Sequence, residues 1–250
     1  MTDPTPALRA GVIAAGHGMR LQDTDRQNRT LKPLVPVAGI TLVERVLTSL
    51  AEAGPSEVVI IVNEESTAVR THVSRRSWPF TLRWIVETTP SSMHSFLRVV
   101  ETLAAAGSGT DAEPFLISTV DTVAAPGTFA RFHQASRSLE ADVALAVTNS
   151  IDDEKPLLVS VAPGSLRITG IGAGAVGASW ATAGVYSVRA SVLREAEHAR
   201  RDGVSALRDF FGRLHERGYR LAGVPVAGGV DVDRPGDVTA AERFLKEVGA

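Results

Sequence analysis

From residue 9 to residue 148 the chain alternates short apolar runs with helix-length amphipathic segments. RAGVIAA is followed by TLVERVLTSLAEAG, EVVIIVN by a short helical pattern around Ser66 to Arg75, and TLRWIVE by SSMHSFLRVVETLAAAG; PFLISTV then leads into PGTFARFHQASRSL, and DVALAVT closes the series. Strands this uniformly apolar must be covered on both faces, and helices between them supply the cover. The pattern therefore predicts an α/β protein with a mostly parallel sheet between two helical layers, a three-layer Rossmann-like arrangement. Such sheets bind ligands beyond the carboxyl ends of their strands.

After Asn149 the rhythm changes to shorter strand-like pieces, PLLVSVA, LRITGI and TAGVYSV, before two helical stretches between Ser191 and Glu216. Residues 150–190 accordingly read as a small antiparallel insertion, a lobe on one domain spanning 1–250. The chain returns with YRLAGVPVAGGVDVD and closes on the amphipathic segment PGDVTAAERFLKEVG, with Pro235 in its first turn.

Charge narrows the partners. With 26 basic and 28 acidic side chains and a formal charge of −2, the chain has no broad basic field for nucleic acid. It has no cysteine, which removes disulfides, thiolate zinc sites and cysteine nucleophiles and suits a reducing cytoplasm. MTDPTPALRAG does not read as a signal peptide. Residues 168–188 carry no charge over a length that would span a bilayer, yet their five glycines make a poor membrane helix, so no membrane partner is expected. The sequence leaves room for a homo-oligomer.

The first strand runs into AAGHGMRL. Gly16 and Gly18 let backbone amides approach an anion closely, and Arg20 adds a fork of donors. Leu21 stands where a dinucleotide fingerprint needs its third glycine, and no Gly-Lys-Ser/Thr follows. On these residues alone a tight turn and a phosphate cradle both remain open. GAGAVG, residues 172–177, fits the dinucleotide spacing but leads into a turn and a strand where a helix is required. The six histidines lack metal-ligand spacing, and no Gly-x-Ser-x-Gly elbow occurs.

Taken together, AAGHGMRL, a polar gap, LKPLVPVAG, the helix LVERVLTSLAEAG and EVVIIVN resemble the sugar-1-phosphate nucleotidyltransferase superfamily, which includes cytidylyltransferases for phosphocholine and inositol phosphate. The match covers residues 12–63, with Met19 where Thr or Ser is usual. Looser landmarks follow in STVDTV, GGVDVDRPGDV and VETTPSSMHS. The resemblance implies a nucleotidyltransferase, GT-A-like version of the α/β fold, in which a nucleoside triphosphate and a phosphorylated small molecule give a nucleoside-diphosphate conjugate and pyrophosphate. Carried over residue by residue, Ala14, Ala15, Gly16, His17, Gly18 and Met19 would wrap the nucleotide. Arg20 and Lys32 would neutralise the reacting phosphates, and Ser91 and Ser92 would stand near the base. Asp121 would hold the cofactor, Mg2+, with Asp231, or Asp233 in its place.

Each residue also has a structural reading: a loop lysine at 32, helix caps at Ser91 and Ser92, a turn-and-cap cluster at Asp231, Asp233 and Asp237. The superfamily's sugar enzymes carry Glu-Lys-Pro shortly before a strand like TAGVYSV, and that lysine grips the acceptor phosphate. Here DEKP, residues 153–156, lies well upstream, and residues 167–184 contain no lysine. A tryptophan face such as that of Trp180 could hold a quaternary ammonium or simply pack. Two other functions fit parts of the pattern: a catalytically silent nucleotide or nucleotide-sugar binder, and a GT-A glycosyltransferase using Asp231-Val232-Asp233 as its metal motif.

Overall fold

The computed structural model describes residues 7–16, 31–106, 113–150 and 156–249. The elements run β1 (Arg9–Ala14), β2 (Pro36–Val37), β3 (Ile40–Thr41), α1 (Leu42–Ala53), β4 (Glu57–Val62), α2 (Thr67–Val73), β5 (Thr81–Val86), α3 (Ser92–Ala105), β6 (Phe115–Thr119) and β7 (Thr122–Ala124). They continue with α4 (Thr128–Arg137), β8 (Val143–Thr148), β9 (Leu158–Val161), β10 (Ile168–Ile171), β11 (Trp180–Val188), α5 (Ala196–Arg201), α6 (Leu207–Glu216), β12 (Leu221–Pro225), β13 (Gly229–Asp231) and α7 (Pro235–Glu247).

β5, β4, β1 and β6 lie side by side and parallel, as the apolar runs predict. β11 follows antiparallel to β6, and the parallel pair β8 and β12 lies beyond it. Two apolar clusters cover the faces. One gathers Phe96, Leu103, Ile117, Phe210 and Phe211; the other gathers Val46, Leu50, Ile60, Phe129 and Phe132. At Gly11 an added Cβ would sit 2.2 Å from Val99 Cγ1 and 3.0 Å from Ile117 Cδ1, so α3 packs directly on the backbone of β1. α1 is bounded by a Thr41–Glu44 capping box at its start and by Gly54 at φ +71° at its end.

The segment read as an insertion is joined to the main sheet. β9 and β10 form an antiparallel pair resting on Trp180 and Ala181, while the far half of β11 lies between β6 and β8. The uncharged 168–188 stretch is thus a strand, a 3-10 turn and a strand, and no described helix is long and apolar enough to cross a membrane. Two small ribbons, β2–β3 and β7–β13, fall below the length at which alternation is readable. A third apolar cluster, Val35, Val37, Leu42, Val123, Val232, Ala241 and Leu245, ties both ribbons to α7 at one end of the sheet.

Candidate active site

The parallel strands end together: Ala14 of β1 is the register partner of Val62 in β4, which in turn partners Val86 in β5. Ala14 and Ala15 are buried at this edge, and Gly16 emerges from it. Asn63, just past β4 and 3% exposed, donates its amide to the Ala15 carbonyl (3.4 Å) and accepts from Ser66 Oγ (2.6 Å). This brace on the first turn is one the motif reading did not find; its only sequence signal was a polar residue directly after an apolar strand. His17, Gly18, Met19 and Arg20 lie outside the described residues.

On the other side of β1, the Val120 N–H donates to the Ile13 carbonyl, carrying the chain past β6 to Asp121. There β7 pairs antiparallel with β13, setting Thr122 opposite Asp231, and the Val232 N–H donates to the Asp121 carbonyl at 3.0 Å. The ribbon thereby brings Asp121 to the segment that carries Asp231 and Asp233. Val232 between them is fully buried in the third cluster, the alternation expected of extended backbone.

Lys32 enters from a 3-10 turn, Lys32–Leu34, anchored by buried Pro33. Its ammonium donates to Asp121 Oδ2 at 2.5 Å and to Asp233 Oδ1 at 2.5 Å. Burial works against the charge on both Lys32 and Asp121, but their mutual attraction overrides it. The lysine pKa is raised, with Asp233 adding to the effect, and the carboxyl pKa is lowered, with the Thr119 hydroxyl contributing. Both groups stay ionised.

Asp231 is held differently. Thr122 Oγ1 donates to its Oδ1 at 3.1 Å and lies 2.9 Å from Thr119 Oγ1. Gly184 makes the space for this cluster: at φ +67°, an added Cβ would lie 1.9 Å from Thr122 Oγ1, 3.0 Å from Thr119 Oγ1 and 3.2 Å from Asp231 Oδ1. The pairing of β11 with β8 shifts register between Thr182 and Tyr186, around this glycine. Tyr186 sits nearby, and burial, with Asp231 and Asp121 in range, pushes its phenol pKa well up.

Asp237 takes the capping role: its Oδ2 accepts the N–H groups of Asp233 (2.9 Å) and Arg234 (2.7 Å) at the start of α7. Among the described residues no group of three or more His, Cys, Asp and Glu side chains is arranged to hold a metal. The carboxylates do fit magnesium by chemistry. They offer oxygen donors only, Asp121 and Asp233 against the Lys32 ammonium and Asp231 beside the Thr122 hydroxyl, and magnesium takes one or two protein carboxylates and fills its remaining positions with phosphate oxygens and water.

Ser91 caps α3, its hydroxyl accepting from the His94 N–H and lying 2.8 Å from His94 Nδ1. The Ser92 hydroxyl accepts the Leu207 N–H at 3.0 Å, stapling the start of α6 to that of α3. GAGAVG forms a 3-10 turn, Gly172–Gly174, and a loop between two strands, with Val176 90% exposed. Trp180 packs on the first core cluster.

This fold is that of the nucleotidyltransferases. The inositol-1-phosphate CTP transferase from T. maritima superposes with a TM-score of 0.78 at 20% identity, covering 97% of each chain. A putative glucose-1-phosphate thymidylyltransferase from Bacillus anthracis gives 0.77 at 14% identity, covering 96% of each. Residues 10–216 match the MobA-like NTP transferase domain, and the chain belongs to that family. It is 27% identical to the CMP-5'-(3-aminopropyl)phosphonate synthase of Streptomyces rubellomurinus over 94% of its own length and 38% of that protein. It is 30% identical to the bifunctional protein GlmU of Gloeobacter violaceus over 58% of its length and 29% of the relative's. The chain therefore spans well under half of each of these two relatives.

Proposed function

We propose that the protein is a magnesium-dependent nucleotidyltransferase that joins a nucleoside triphosphate to a phosphorylated small molecule and releases pyrophosphate. The observation that carries this reading is the convergence of Lys32, Asp121, Asp231 and Asp233 at the carboxyl edge of the parallel strands, beside the Ala14–Gly16 turn. Cytidine triphosphate is the donor to test first, because two similar proteins bear CMP or CTP in their names, and phosphonates join phosphate esters as acceptors for the same reason.

In this reaction an oxygen of the acceptor's own phosphate or phosphonate attacks the α-phosphorus, the bond from that phosphorus to the bridging oxygen breaks, and pyrophosphate leaves with the electron pair. No protein nucleophile is required; the protein must align two anions and neutralise their repulsion. Lys32, kept protonated by its two carboxylates, is the cation on the nucleotide side, with Arg20 the partner expected from the sequence. Asp121 and Asp231 would hold magnesium, which when bound supplies positive charge to the phosphate oxygens. Asp233 keeps Lys32 at this edge, while Ala14–Met19 would line the triphosphate and Ser91 and Ser92 would border the base.

The test is pyrophosphate release with magnesium, each nucleoside triphosphate, and a panel of sugar, inositol, choline and glycerol phosphates and aminoalkylphosphonates. Acceptor-dependent release is expected. Tight triphosphate binding with no release from any pair would instead mark a nucleotide-binding protein without transferase activity.

A further inference from the structure

β5 closes one flank of the central sheet and pairs with β4 alone. The N–H groups of Thr81 and Glu87 both turn inward, donating to the Ser56 and Val62 carbonyls, so by the alternation of extended backbone the amides of Leu82, Trp84 and Val86 face the open side. An edge of this length without proline or bulge is a template for another strand. None of its six residues is buried, against five of the six in β4, and Val86 is 43% exposed. Beyond β8, by contrast, the outer strand β12 is covered. There the turn between β9 and β10 folds over it, with the Leu166 carbonyl accepting the Gly223 N–H at 2.7 Å and Arg167 forming a backbone bridge with Ala222. Among the described residues no segment does this for β5.

We propose that β5 is the subunit interface of a homodimer, pairing antiparallel with β5 of a second copy about a two-fold axis at Ile85. In that register Ile85 faces the partner's Ile85, Trp84 faces the partner's Val86 and Arg83 faces the partner's Glu87. The open amides set the geometry: Trp84 and Val86, which point outward, form the hydrogen-bonded pair, and the axis falls at a non-hydrogen-bonded pair, where opposed side chains are closest. The side chains set the register. Ile85 packs toward α3, and on that face Arg83 lies 4.0 Å from Glu57 while Glu87 accepts from Arg98 at 2.9 Å. Pairing therefore builds the alternating row Glu57, Arg83, the partner's Glu87 and the partner's Arg98, once on each side of the axis. On the α2 face Trp84, with the Arg70 guanidinium 5.8 Å from its ring, meets exposed Val86. A slip of one residue sets outward amides against inward ones, and a slip of two places Arg83 opposite Ile85 or Thr89. A surface complementary to itself about a two-fold axis is what an isologous dimer requires.

Analytical ultracentrifugation tests the dimer and its register. Wild type should sediment as a dimer in the micromolar range, and Val86→Lys, a charge placed at an exposed position of the edge, should sediment as a folded monomer by circular dichroism. Arg83→Glu and Glu87→Arg each set like charges opposite one another and should raise the dimer dissociation constant by about tenfold or more. An equimolar mixture of those two variants should recover dimers, because both pairs across the axis are then opposite in sign. The chain contains no cysteine, so one introduced at the axis reports only on its own copy. Ile85→Cys should form a disulfide dimer under mild oxidation, and Thr81→Cys, at the far end of β5, should not. A monomeric wild type, a dimer indifferent to Val86→Lys, or a mixture of the two charge variants that stays monomeric overturns the interface. Equal cross-linking of Thr81→Cys and Ile85→Cys, or none of Ile85→Cys, overturns the register.

Discussion

Gly184 and Thr122 are as close as their chemistry permits: the space where a side chain at 184 would begin is filled by the Thr122 hydroxyl, which donates to Asp231. Replacing the glycine demands both a left-handed backbone with a Cβ and the displacement of that hydroxyl. Gly184→Ala should cost about 1–3 kcal/mol from backbone strain alone, and more from the overlap. It should also abolish turnover. Thr122→Val keeps the shape and removes the donor, so its Tm should change far less, while the apparent magnesium affinity in the pyrophosphate assay falls by about tenfold or more, as for other groups that orient metal ligands. Equal magnesium dependence in Thr122→Val and wild type would exclude that orienting role.

The Lys32–Asp121 pair predicts a pH signature. The Asp121 pKa is lowered in the folded protein, so its contribution to stability is present above the ordinary aspartate range and is lost as pH falls through the folded value. The Lys32 pKa is raised, so its contribution is present below the ordinary lysine value, about pH 10.4, and is lost as pH climbs through the higher folded value. Lys32→Met and Asp121→Asn should each cost about 1–2 kcal/mol, because each strands a partly buried partner. The double variant should regain part of that stability and show a flatter profile below pH 4, yet remain inactive. Chemical denaturation between pH 2 and 11 measures this; additive losses in the double variant would disprove the coupling.

Ser91 and Ser92 carry structural duties that can be separated from a nucleotide contact. Ser91→Ala should lower stability by about 1 kcal/mol through loss of the α3 cap. Ser92→Ala should loosen α6 by removing the acceptor for the Leu207 N–H. If these hydroxyls also touch the base, the triphosphate KM rises in step; a stability loss with an unaltered KM assigns them to the scaffold.

Asp237 links helix capping to the site. Asp237→Ala removes the acceptor of two backbone N–H groups and should cost about 1–2 kcal/mol. Because the Asp233 backbone is one of those two, the carboxylate opposite Lys32 shifts as well, and kcat should fall severalfold. Asp237→Asn keeps an acceptor at that position and should restore most of both, read by Tm and pyrophosphate release.

The layered fold was legible because its strands are buried on both faces: EVVIIV and VALAVT have no polar alternation to mislead, and the helices between them are marked by caps such as Thr41–Glu44 and by Gly54. The two ribbons were not legible, since strands of two or three residues leave no period to read. The place of β11 was hidden too. Its outer half carries β9 and β10 while its inner half completes the central sheet, a division set by contacts far away in sequence. At the site, motif order picked out Lys32, Asp121, Asp231 and Asp233. It could not show that one ammonium binds two of the aspartates, nor that Asn63 braces the first turn, because both depend on strand ends meeting in space.

The β7–β13 ribbon joins Thr122 to Asp231, 109 residues later, and Lys32 reaches Asp233 across 201 residues. Contacts of such span close late, after the local helices and adjacent strands have formed. During refolding, the helices should therefore recover before the site is assembled, with turnover returning after the helical signal.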